Sequence, residues 1–159
     1  MRPIFRTITM IYLIFLAALL GATLYAGIVV APATFGTEAI LGAKILSRFE
    51  EGMIMTQNFL KLSYVVTLAV VVVFLYESYK YKKGERDAWT FVAVFLVIAS
   101  GLMFSNYYLP EIISMQEAGE AMTQSEAFAN THKGSEINFK IFAFGLVLLL
   151  VRNFKKALR

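Results

Sequence analysis

Four ionisable or strongly polar residues, Lys61, Glu77, Asn138 and Lys140, lie inside or at the edge of long apolar stretches. Such groups are costly to hold at membrane depth, and those that are retained mark binding positions, ion pathways or paired charges. Glu77 is followed closely by Lys80 and Lys82, so it reads as one member of a surface ion pair whose lysines reach outward to water. Lys61 and Lys140 differ from it. Each falls about one helical turn into its own apolar segment from the same side, level with Gln57, Asn58, Asn106, Asn138 and His132. Antiparallel helices would gather these residues at one mouth. The result would be a polar vestibule able to accept an anionic headgroup, a solute or a partner's carboxylate. The competing reading sends both lysines outward along their helices to the interface.

His132 is the only histidine, and by itself it reads as a solvated loop residue. Together with Met53 and Met55, or Met115 and Met122, it would suit a soft ion such as Cu(I). Methionine also fills gaps between packed helices, and no spacing here is diagnostic, so neither a metal nor any other cofactor is expected. Cysteine is absent, which removes disulfides, thiolate metal sites and cysteine nucleophiles. No glycine-rich phosphate loop, paired metal-binding histidines or embedded Ser/His/Asp set is present. The residues therefore point to a binding or transport-accessory module and not to an enzyme. A soft-metal handling protein and a structural subunit of a membrane complex are the alternatives.

The elements that must position these residues are apolar helices. The chain has 159 residues, 58% hydrophobic and 16% charged, with a mean hydropathy of +0.66. A soluble domain carries about 25% charged residues. Long apolar runs predict an all-α, four-transmembrane-helix bundle forming one integral domain, with spans near 8–35, 59–79, 89–109 and 137–152. The first run is longer than the about 7–15 residues of a secretory h-region, so it is expected to stay as a span. Small residues at Ala18, Ala22 and Ala26 predict the face through which it packs on its neighbours. Residues 38–57 read as an amphipathic helix, lying in the interface or extending the second span. Residues 111–136 carry Glu111, Glu117, Glu120, Glu126 and Glu136 and predict a further short helix in the same outer region.

Ten Lys and Arg residues flank the two termini and the 80–86 turn, against three in the opposite loops (Lys44, Arg48 and Lys133). That asymmetry predicts both termini on the cytoplasmic side. It also sets the basic residues beside lipid, so the bilayer is the expected partner, with a homo-oligomer or larger membrane complex possible and nucleic acid not expected.

The run from Gly27 to Phe35, with Ala31-Pro32-x-x-Phe35 at its end, then Gly42 and Phe49, is similar to the family known as domain of unknown function 4149. The stretch Phe128-Ala-Asn-Thr-His132-Lys-Gly-Ser135, ahead of the last span, resembles a second recurring element of that family. The resemblance covers residues 8–152 and implies a polytopic protein of the bacterial inner membrane. It also implies roles for Ala31, Pro32, Phe35, His132 and Ser135. The family includes eukaryotic transmembrane protein 205, whose link to platinum resistance is explained by sulfur-bearing side chains; with no cysteine here, only methionines could substitute.

Overall fold

The computed structural model describes residues 3–158, and every long apolar run in it is helical. Helix α1 (Pro3–Tyr25) continues through a π-helical turn, Ala26–Val30, into the single turn α2 (Ala31–Thr34). A short α3 (Thr37–Leu41) ends at Gly42, whose φ of +72° makes the left-handed stop that glycine adopts without strain. Helix α4 (Arg48–Lys82) is 35 residues long. It starts at a capping box in which the Ser47 side chain accepts from the Glu50 amide while the Glu50 carboxylate accepts from the Ser47 amide. Helix α5 (Ala88–Met103) is capped by Asp87 and runs through a second π-helical turn, Phe104–Tyr108, into α6 (Leu109–Glu117). After the single turn α7 (Glu120–Thr123), Ser125 caps α8 (Glu126–Ala157).

Four helical stretches, Ile4–Thr34, Arg48–Lys82, Ala88–Glu117 and Glu126–Ala157, are long and apolar enough to cross a membrane. At about 1.5 Å per residue the longest extends well beyond a hydrocarbon core of about 30 Å. The amphipathic region before the second span is therefore divided. Residues 37–41 form a separate turn, and everything from Arg48 onward is continuous with the span. The segment after Pro110 is divided in the same way, part prolonging the third span as α6 and part beginning the fourth as α8.

Around the bundle the order is α1, α4, α5, α8, with each neighbour antiparallel to the next and α8 closing back on α1. The tightest seam joins α5 and α8. A Cβ placed on Gly145 would meet the Val97 backbone nitrogen at 3.2 Å, and one on Gly101 would meet the Phe142 ring at 3.3 Å. Small residues let backbones approach where lipid gives no hydrophobic drive to pair helices. Asn138 ties the same seam, donating its amide to the Ser100 carbonyl at 2.9 Å.

Helix α1 does not pack through its small residues. Ala18 and Ala22 are exposed and Ala26 is half-buried, while Tyr12, Leu16, Leu19 and Thr23 are buried. The reason is volume. The centre of a ring of four helices is wide, and large side chains from α1, with Val66, Val73, Phe142, Leu146 and Leu149, are needed to fill it.

Candidate functional site

The bundle is filled at its middle and open at the end opposite the termini. There a cavity of about 770 Å³ is lined by residues from all four long helical stretches. Its base is aromatic: Phe59, Phe104 and Phe139 pack on one another with ring centroids 5.3–5.8 Å apart, and the same rings rest on the buried core. Leu24, Ile28, Met55 and Ile112 carry the apolar wall upward. Polar groups appear toward the rim, among them Arg48, Gln116, His132, Glu136 and Lys140. The outer end of the first helix contacts α4 through Ala26–Val30 and α2, and Ile28, Phe35, Ser135 and Lys140 also line the cavity.

The rim is pinned by Arg48. Its guanidinium donates to the Phe35 carbonyl at 2.9 Å, stacks 4.4 Å over the Phe35 ring and pairs with Glu51 at 3.2 Å. Glu51 is buried and also accepts from the Thr37 hydroxyl. Phe35 thus holds the turn after the first helix against the start of α4. Pro32 acts on the backbone. Having no N–H, it would break an α-helical ladder. The preceding π-helical turn absorbs the defect: the Ala31 amide bonds back to the Ala26 carbonyl, so the helix continues through Ala31-Pro32. The third helix repeats the device, with Leu109 bonding to the Phe104 carbonyl just before Pro110. Both widened turns contribute to the cavity wall, through Gly27 and Ile28 and through Phe104 and Tyr108. Two prolines inside long apolar runs were the sequence signal for them.

On α8, His132, Glu136 and Lys140 form one stripe. His132 Nδ1 lies 3.5 Å from Glu136 Oε1, and Lys140 Nζ lies 4.0 Å from Glu136 Oε2. The His132 ring stacks on Phe128, and the Ser135 hydroxyl donates to the His132 carbonyl at 2.7 Å. The cavity therefore brings together Ala31, Pro32, Phe35, His132, Ser135 and Lys140. It does not gather all the residues assigned to the vestibule. Lys61 is exposed and absent from the lining, and Asn106 is exposed with its amide on the Leu102 carbonyl. Lys61 and Lys140 thus do not share one chamber, because Lys61 projects from the outer surface of α4. Of the methionines considered with His132, Met55 lines the cavity and Met53 does not. Among the described residues no group of three or more His, Cys, Asp or Glu is placed to hold a metal ion.

A second polar assembly sits near the other end, where Glu77 is buried and not on the surface. It accepts from the Tyr12 hydroxyl at 3.0 Å and from the Asn153 amide at 2.7 Å, and lies 3.6 Å from Lys80. Lys80 donates to Asn153 at 2.5 Å and pairs with Glu85 at 3.3 Å. Alongside, the Tyr76 hydroxyl donates to Thr9 at 2.8 Å, and its ring stacks on Tyr12 with centroids 3.9 Å apart. Helices α1, α4 and α8 are thereby tied together at this end. Nothing in the spacing of Tyr12, Glu77 and Asn153 marks them as partners, since 65 and 76 residues separate them along the chain.

Four apolar helices in a ring, closed by polar bonds at one end and hollow at the other, define a multi-pass membrane protein with an interhelical cavity. The chain belongs to the family described as Domain of unknown function (DUF4149), whose model matches residues 14–121. That match contains the Ala31-Pro32-x-x-Phe35 motif, while His132 and Ser135 lie beyond it. No curated protein and no solved structure matches the chain.

Proposed function

We propose that this protein is a non-enzymatic binding module, or an accessory to transport, that takes an amphipathic molecule into the distal cavity. The supporting observation is the ordering of the walls. An aromatic and aliphatic base at the depth of the spans gives way to Arg48, His132, Glu136 and Lys140 at the rim. An apolar chain would lie against Phe59, Phe104 and Phe139, and its polar group would meet the rim. Ligand cavities typically measure about 300–1,000 Å³ with a few placed polar groups, and this one falls inside that range. We place the protein in a bacterial inner membrane with both termini on the cytoplasmic side, on the strength of the basic residues around the termini and the 80–86 turn. The cavity then opens outward.

Titration of the detergent-purified chain with dansyl-labelled undecanoic acid tests the binding. Saturable fluorescence enhancement is expected, and Ala143→Phe, which adds a ring at the cavity wall, should abolish it without lowering the unfolding temperature. Equal binding by the variant would rule this cavity out.

A further inference from the structure

A second cavity, of about 360 Å³, lies at the end of the bundle that carries the termini, between the last turns of α4 and α8 and the turn that joins α4 to α5. Most of the residues that line it are polar or charged, with the Tyr76 ring and Ala157 among them. Lys80, Arg86 and Lys156 face into it together with Glu85 and Asp87. Both carboxylates are already engaged. Asp87 accepts two bonds at 2.9 Å from Arg152 Nη2, and the Thr90 hydroxyl donates to it at 2.5 Å. Glu85 pairs with Lys80. Lys80 is also bonded to Asn153 and paired with Glu77, and the other two cations are less committed. Arg86 has no carboxylate partner among the described residues, and its guanidinium stacks on Tyr81 at 5.2 Å. Lys156 donates to Thr90 at 3.1 Å and stands 3.6 Å from Asp87. Residues 77–87 and 152–158 together contain seven basic side chains and three acidic ones, so the field at this mouth is positive.

We propose that this cavity binds the headgroup of an anionic glycerophospholipid from the adjoining leaflet. A basic pocket between transmembrane helices at the level of the headgroups is the arrangement that selects such lipids. The level is set by exposed Tyr79, Tyr81 and Trp89, side chains that settle at a membrane–water interface. Arg86 offers the planar fork that matches a phosphate, and Lys156 a second charge. Lys80, 4% exposed and already paired with Glu77 and Glu85, closes the wall behind them without adding net charge. The exposed ring of Phe91, just beyond Thr90, gives apolar surface on which acyl chains can lie, which a free phosphate would not use.

The test uses the full chain in an uncharged detergent, following its unfolding temperature as dioctanoyl phosphatidylglycerol, dioctanoyl phosphatidylcholine or inorganic phosphate is added. The anionic lipid should stabilise the protein saturably. The zwitterionic lipid and phosphate should each require at least about tenfold more for the same shift. Replacing both Arg86→Gln and Lys156→Gln should weaken the anionic lipid about 30-fold, the loss expected for two charges near a lipid surface. Lys82→Gln with Lys83→Gln removes the same charge from residues that do not line the cavity and should weaken it less than about threefold. Should the double variant unfold, Arg86→Gln alone changes an exposed side chain and should still cost about fivefold. Equal stabilisation by both lipids, or by phosphate, would overturn the proposal. So would an equal loss in the Lys82/Lys83 control, or undiminished binding by the Arg86 variant.

Discussion

Glu77 shows how a single residue changes meaning with its surroundings. Beside Lys80 in the chain it is one half of an ordinary i,i+3 pair, of the kind worth little at a surface. Buried with Tyr12, Asn153 and Lys80, it is held by side-chain bonds from three helices. Removing one partner from such a set costs about 3–5 kcal/mol. Glu77→Ala is expected to fall at the lower end of that range, because Lys80 keeps Asn153 and Glu85. Glu77→Gln should cost less, since its side-chain carbonyl can still accept from Tyr12 and Asn153. Equilibrium unfolding in detergent measures both, and equal losses for the two variants would remove the buried charge from the explanation. Asp87 permits a pH prediction. The Thr90 hydroxyl holds its carboxyl well below the usual carboxylate range, with Arg152 and Lys156 adding to the effect and partial burial opposing it. A depressed folded-state value stabilises the protein above the unfolded pKa of about 3.9 and is lost as pH falls below it. Acid unfolding of Asp87→Ala should therefore show a shallower pH dependence below about pH 4. At neutral pH the variant should be about 1–2 kcal/mol less stable, from the lost helix cap and ion pair.

At the scale of elements, the seams of the ring are unequal. The α5–α8 seam is closed by Gly101, Gly145 and the Asn138–Ser100 bond, and it leaves no room for added atoms. Gly145→Leu should cost at least about 1–3 kcal/mol by overpacking, because one of the atoms it meets is backbone and cannot rotate away. Ala22→Leu should behave in the opposite way. Ala22 faces outward, so the added carbons enter no packed interface, and the change is expected to stay within about 0.5 kcal/mol. Thermal unfolding of the two variants side by side distinguishes a packed seam from a free face. The π-helical turns at Ala26–Val30 and Phe104–Tyr108 belong to this scale too. Each lets a helix pass a proline and widens it beside the cavity.

For the whole molecule, an up-down-up-down ring puts both termini at one end and the cavity at the other. Reporter fusions after Leu158 and within residues 116–130 should therefore lie in opposite compartments. Fusions reporting from one side would contradict four crossings.

The number of spans, their helical character and the charge asymmetry between the two ends were legible in the chain alone. These depend on local quantities: runs of apolar residues long enough to span hydrocarbon, in which the backbone must satisfy its own hydrogen bonds. The caps Ser47, Asp87 and Ser125, first seen in the structure, are equally local, each accepting from an amide three residues on. His132, Ser135 and Lys140 are close in the chain, but the structure, not the sequence, put them on one helix: α8 starts at Glu126, so His132 is helical and not in a loop ahead of a span beginning near 137. Which face of each helix turns inward was set by packing in the ring. That choice depends on the volume at the centre of the ring, which Leu16 and Leu19 fill and the alanines of α1 cannot. The same rotation turned Lys61 outward, and it drew Tyr12, Glu77 and Asn153 together from three helices. No run of hydropathy records the angle at which one helix meets another.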